Sequence, residues 1–384
     1  MTDRGFDELE RALESGGAAA AFDLLTRNFR AEKRYPLLFE AMIMNKRREL
    51  GLPLIATGSL EDMPSETQSQ LHEAYVAAAR EVGGLFLSDG DIPAAWPYFR
   101  AIGDPEPIAA AIEKETAREG IEPIIDIAFN EGVHPYKGFQ LIMAQYGLCR
   151  AITVLEQYPH RKGREDCVDL LVRSLHGEVL ESLRRTIAEN EGKAPESRSI
   201  VELISTRDWL FGEWAYYVDT SHLVSTIRLS ADLKDREMLN LAVELTEYGK
   251  RLSHHFHYRG DPPFENIYAD YGIYLRALLG EDVDGAIAHF RGKIEESDPG
   301  QAGSGPAEVL VGLLARLGRF REAIELSIER LPEAGPDQLS CPSLIQLCQL
   351  AGDFEQLRRV ARERGDLLNF TAAMLQGAPK ADGS

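Results

Sequence analysis

Seven of the chain's nine histidines fall between positions 120 and 270. Three of them, His254, His255 and His257, sit within the stretch Arg251-Leu-Ser-His-His-Phe-His-Tyr-Arg-Gly-Asp-Pro-Pro-Phe264. Others come with a nearby carboxylate: Glu131-Gly-Val-His134, Leu175-His176-Gly-Glu178 and Asp219-Thr-Ser-His222. On a helix, positions i and i+3 share a face, which is how helical metal sites assemble an acid-x-x-His ligand pair. Imidazole with carboxylate suits a divalent transition metal, iron or zinc foremost, and two histidines with one acid leave positions open for oxygen or substrate. The expected ligand set is therefore His134, His176 and His222 with one or more of His254, His255 and His257. Asp219 and Glu131 lead as the charge partners, and Glu178 is third.

Each of these features also has a simpler reading. Pro135 biases His134 toward an extended conformation, which takes Glu131 and His134 off a common helical face. Gly260, Pro262 and Pro263 form a strong helix stop, so 251–259 reads as the end of a helix, where cations interact favourably with the C-terminal dipole. That role accounts for one histidine and leaves two unexplained. Trp209, Phe211 and Trp214 cluster around Gly212, close to Asp219 and His222. Aromatics at such spacing are more often core than pocket. Trp209, Trp214 and Tyr258 are nevertheless the expected walls of a ligand pocket, since such a site needs apolar surface with a few polar groups.

The elements that must position these residues read as helices throughout. Apolar residues recur at helical spacing, and alternating strand-like runs are nearly absent. One phrase returns. Leu317-Gly318-Arg-Phe320-Arg-Glu-Ala323 reads as a tight turn between two short amphipathic helices, with glycine in the turn and alanine at the closest approach. It recurs at Gly352 to Leu357, at Gly280 to Phe290 with Ala286, at Gly90 to Phe99 with Ala95, and more faintly at Gly17. The step from Gly318 to Gly352 is 34 residues. A helix–turn–helix period of this length resembles the tetratricopeptide repeat family, over residues 270–375 and again over 70–115. The resemblance implies an α-solenoid with a concave face that receives peptides or proteins. Two phrases of the middle, Glu131 to Ile152 and Asp219 to Leu233, resemble questin-oxidase-like proteins, all-helical enzymes that open aromatic rings oxidatively. That likeness implies metal-ligating or active-site roles for His134 and His222. It departs from the family in having no histidine before His72.

The chain thus divides into an N-terminal helical-repeat region (1–119), an aromatic and histidine-rich central block (120–270), C-terminal repeats (271–376) and a disordered tail (377–384). Ser65 with Gln68 reads as a capping box at the end of the 51–66 loop, and Pro105 and Pro306 read as first helical residues. Lys plus Arg total 42 against 62 Asp plus Glu, a net charge of −20, which disfavours nucleic acid. No apolar run is long enough to span a bilayer, and the N-terminus carries no secretory signal. Four cysteines without metal or disulfide spacing read as buried thiols of a cytoplasmic protein. No phosphate-binding loop, nucleophile elbow or His-Glu-x-x-His is present. The expected fold is all-α, a right-handed superhelix of antiparallel pairs around a less regular central helical block. The expected function is binding of a protein, peptide or small molecule, with or without a metal, on the concave central surface. The competing expectation is a metal-dependent oxidoreductase of non-haem iron type, or a hydrolase.

Overall fold

The computed structural model describes residues 3–55, 63–331 and 339–377. It is all-α, with no strand among the described residues. The chain packs as two compact units, Met1–Cys167 and Val168–Ser384. The first holds α1 (Asp3–Ala31), α2 (Tyr35–Glu49), α3 (Ser65–Ser88), α4 (Ile92–Ala101), α5 (Glu106–Ile112), α6 (Glu122–Ile125) and α7 (Pro135–Glu156). Helix α8 (Arg164–Glu191) carries the chain into the second unit. There follow α9 (Ile200–Ile204), α10 (Thr220–Leu229), α11 (Arg236–Arg251), α12 (Ile267–Leu278), α13 (Val283–Glu296) and α14 (Pro299–Ala302). The unit ends with α15 (Gly305–Arg316), α16 (Phe320–Arg330), α17 (Leu344–Ala351), α18 (Phe354–Glu363) and α19 (Leu367–Gln376). Packing divides the chain at 167/168. The tail expectation falls mainly on 378–384, outside the described residues.

Neighbouring helices pack in succession: α1 on α2, α2 on α3 and α3 on α4 in the first unit, and α15 through α19 in the second. The recurring phrase explains how. Gly318 and Gly352 take φ of +73° and +65°, the left-handed conformation that lets one helix stop and the next begin within two residues. Ala95, Ala286 and Ala323 are buried, each where a larger side chain would push two helices apart. Even the faint N-terminal copy has a physical counterpart, because α1 is broken at Gly17. Beneath the pairs lies an aromatic core. Phe264 stacks on Tyr271 at 3.9 Å and meets Phe290 edge-on. Buried Asp270 ties α12 to α13, with its oxygens 2.9 Å from His289 Nε2 and 3.4 Å from Lys293 Nζ.

Several local expectations are corrected. The Ser65–Gln68 capping box does not form: Pro64 stands at the cap, and the Gln68 side chain donates to the Met63 carbonyl instead. A reciprocal box forms at Ser343 and Gln346. Pro105 lies just before α5, while Pro306 occupies the first turn of α15. Cys167, Cys341 and Cys348 are buried, but Cys149 is exposed on α7. Burial pushes the Cys167 thiol up to about 12, so it is a core residue rather than a nucleophile. The last helix of the second unit, α19, leaves Leu367, Leu368 and Leu375 uncovered at 79%, 81% and 74% exposure.

Candidate functional site: an exposed aromatic and histidine surface

Helix α11 ends at Arg251, earlier than the sequence suggests. Lys250 and Arg251 are the cations of its last turn. The histidines beyond it lie on a single tight turn, His254–Phe256, with His257 extended. The dipole explanation of these histidines therefore falls away, because Leu252 already has extended backbone and the helix does not reach them.

What holds this turn in place is a set of buried tyrosines. Tyr268 of α12 donates its hydroxyl to the Phe256 carbonyl at 3.0 Å. Its ring lies against Gly249, where a β-carbon would come within 2.3 Å of it, so the close approach requires glycine. His257 donates from Nε2 to the Leu252 carbonyl at 3.0 Å and packs edge-on against the same ring. The hydroxyls of Tyr258 and Thr220, the latter on α10, lie 3.0 Å apart. The partner loop, 211–218, is fixed in the same manner. The backbone amide of Tyr217 donates to the buried Tyr248 hydroxyl at 2.8 Å, and the Tyr217 hydroxyl donates to the Leu210 carbonyl at 2.9 Å. Arg251 lies over the Phe211 ring and pairs with Asp208. Two irregular loops are thus anchored by rigid side chains from α11 and α12.

Their outer faces form a column of stacked rings. His254 and His255 lie 3.9 Å apart, and His255 stacks on Trp214 at 4.4 Å with the planes only 8° apart. Phe256 meets Trp214 and Tyr216 edge-on. The column faces solvent, with Trp214 66% and Tyr216 55% exposed, and Tyr258 and Trp209 elsewhere on these segments are 45% and 44% exposed. His255 Nε2 is 3.3 Å from the Glu213 carboxylate, and Asp208 and Asp219 add acid to the same loops. Exposed aromatics of this number, held rigidly, are surface that water solvates poorly.

The remaining histidines have separate partners. In the first unit, His134 caps the start of α7 without a side-chain cap and lies 2.9 Å from Glu113. Glu131 pairs with Arg100 at 2.9 Å, so Glu131 and His134 do not act as a helical pair. In the second unit, His176 is buried on α8 with Nε2 2.8 Å from Glu244, while Glu178 is exposed. Asp219 is the cap of α10 and accepts from the backbone amides of Ser221 and His222. The hydrogen bonds of Ser221 hold its carboxyl below the usual range, assisted by His222. His222 is half-buried beside that cap. Among the described residues, no group of three or more His, Cys, Asp or Glu is arranged to hold a metal ion. The acids that engage the histidines, Glu113, Glu213, Glu244 and Asp270, all escaped sequence reasoning. Glu244 lies 68 residues from His176, and no local spacing marks such a pair.

The Glu244 constellation joins a serine, an acid and a histidine, but in an order that does not activate a nucleophile. Ser199 donates to Glu244 and makes no hydrogen bond to His176. Acylating triads need the imidazole between serine and acid, whereas here the carboxylate is central. The Ile200 amide also donates to it at 2.8 Å, so its role is to cap α9 and join three helices.

The class these observations define is an all-helical protein of successively packed helices, with a tyrosine-anchored aromatic surface in its second unit. No protein family, curated protein or solved structure matches the chain.

Proposed function

We propose that the chain is a helical-repeat binding protein whose second unit receives a basic peptide segment on the Trp214, Tyr216 and Tyr258 surface. The stacked, solvent-facing column ending in Trp214 carries this reading. Aromatic faces attract ammonium and guanidinium groups, and Glu213 supplies acid beside them. A net charge of −20 favours the same class of partner and would speed its encounter. The recurring glycine and alanine phrase supports reading the paired helices as a tetratricopeptide-like solenoid, with this surface as its ligand face. The test uses the full chain and labelled peptides of matched length, one series rich in arginine and lysine and one rich in glutamate. Basic peptides bind the native protein, and Trp214→Ala weakens them about tenfold or more with far-UV circular dichroism unchanged. Equal binding of acidic peptides, or indifference to Trp214→Ala, would sink the proposal.

The metal-dependent oxidoreductase or hydrolase has narrower support. It rests on the sequence spacing of His134, His176, His222, His254, His255 and His257 with Asp219, Glu131 and Glu178. His134 and His176 are engaged by Glu113 and Glu244, and no three such groups among the described residues are arranged to hold a metal ion. It keeps a direct test in metal analysis of protein purified without a histidine tag.

A further inference from the structure

The first unit contains an open cavity of about 820 Å³ between α2, α3 and the end of α4. Ile43, Leu71, Tyr75 and Ala101 form its apolar wall. Arg47 also lines it, and this arginine is only 6% exposed. Its Nε donates to the Pro53 carbonyl at 2.7 Å. Among the described residues, no carboxylate lies within ion-pair distance of its guanidinium. Neighbouring cations do have such partners: Lys46 and Arg48 both reach Glu49. Withdrawing a guanidinium from water without a counter-charge is costly. Core packing alone gives no reason to place arginine rather than leucine or methionine here.

The polar end of the same cavity lies at the start of α3, a helix of 24 residues. Ser65 and Ser69 line it, and among the described residues no side chain caps the helix, whose cap position is held by Pro64. The first-turn amides and the positive end of the helix dipole therefore add to the Arg47 charge, an arrangement that favours an anion. With Nε occupied, no hydrogen bond among the described residues engages the two terminal nitrogens of Arg47, and they form a planar fork that matches the two oxygens of a carboxylate.

We propose that this cavity binds a small amphipathic carboxylate, its head on Arg47 and the start of α3 and its tail along Ile43, Leu71 and Tyr75. The volume is that of a site for a ligand of ordinary metabolite size. The site belongs to the first unit and is independent of the aromatic surface, so either can fail without the other.

The test is calorimetric titration of the full chain with octanoate, and with octanol and octyltrimethylammonium as neutral and cationic probes of the same tail. Octanoate binds saturably, octanol at least about tenfold more weakly, and the cation not at all. Arg47→Gln abolishes the preference for octanoate over octanol, and Arg47→Lys keeps part of it. If Arg47→Gln does not fold, Ala101→Trp serves in its place: it fills the cavity from its exposed rim and removes octanoate binding with helicity intact. Octyl phosphate in a parallel titration separates a carboxylate site from a general anion site, and tighter binding of the phosphate overturns the carboxylate assignment. Equal affinities for octanoate and octanol, or no saturable binding, overturn the proposal outright. So does one further result. Glu61 and Asp62 lie outside the described residues, and if Glu61→Gln with Asp62→Asn creates octanoate binding that the native chain lacks, Arg47 serves the chain's own acid.

Discussion

Glu244 brings a carboxylate from α11 to the first turn of α9, where Ser199, the Ile200 amide and His176 all converge on it. Burial pushes its pKa up, but those hydrogen bonds outweigh burial and hold it below its ordinary 4.5. The sign of the pH dependence follows. A carboxylate with a depressed folded pKa contributes stability that is complete above about 4.5 and is lost as pH falls through the folded value. Glu244→Gln is expected to lower stability by about 1–3 kcal/mol at neutral pH. In urea titrations, the gap between native and variant protein is expected to narrow as pH falls below about 4.5. A gap that widens in acid would show that the carboxylate is not held as described. At this scale the sequence was partly legible. It marked His176 and His255 as unusual but named neither Glu244 nor Glu213, because those pairs depend on how segments far apart in the chain come together. His254 to His257 were misplaced onto a helix because the visible stop signals, Gly260 and the two prolines, lie beyond the true end at Arg251.

Among the elements, the repeated turn was the most legible feature, since its requirements are local. Glycine is needed for a positive φ, and alanine is needed where two helices approach. Ala323, on α16, is fully buried, and α16 packs against both α15 and α17. Ala323→Trp is expected to overpack that contact and destabilise by about 1–3 kcal/mol, read as a lower Tm, while leaving peptide binding at Trp214 unchanged. An unchanged Tm would mean that Ala323 is not at a close helix contact. The irregular loops at 211–218 and 253–259 were not legible in the same way. Their shape comes from Tyr217, Tyr248 and Tyr268, whose hydroxyls reach backbone groups that only the folded chain brings near. Tyr248→Phe is expected to loosen the 211–218 loop and weaken binding of a basic peptide with little loss of helicity, which circular dichroism and peptide titration together would show.

For the whole molecule, charge gives the broadest expectation. With 62 acids against 42 strong bases, random-sequence DNA is expected to bind negligibly at any salt concentration, whereas basic peptides bind more weakly as salt rises. Tight, salt-sensitive capture of DNA in a gel-shift assay would contradict this. No helix among the described residues is long and apolar enough to cross a membrane. Metal analysis of untagged protein is expected to find well under one equivalent of iron or zinc, given how the histidines are partnered; a full equivalent lost on His255→Ala would favour the metal-dependent reading. One feature of the second unit bears on its motions. Where helices pack in succession, an interior member is held from two sides and the last from one, and α19, packed on α18, leaves Leu367, Leu368 and Leu375 in water. Opening should then be graded along the row, with the terminal rung releasing its amide protons fastest and α12 among the slowest. Hydrogen exchange followed by mass spectrometry would read that gradient directly, as a ladder that unzips from one end.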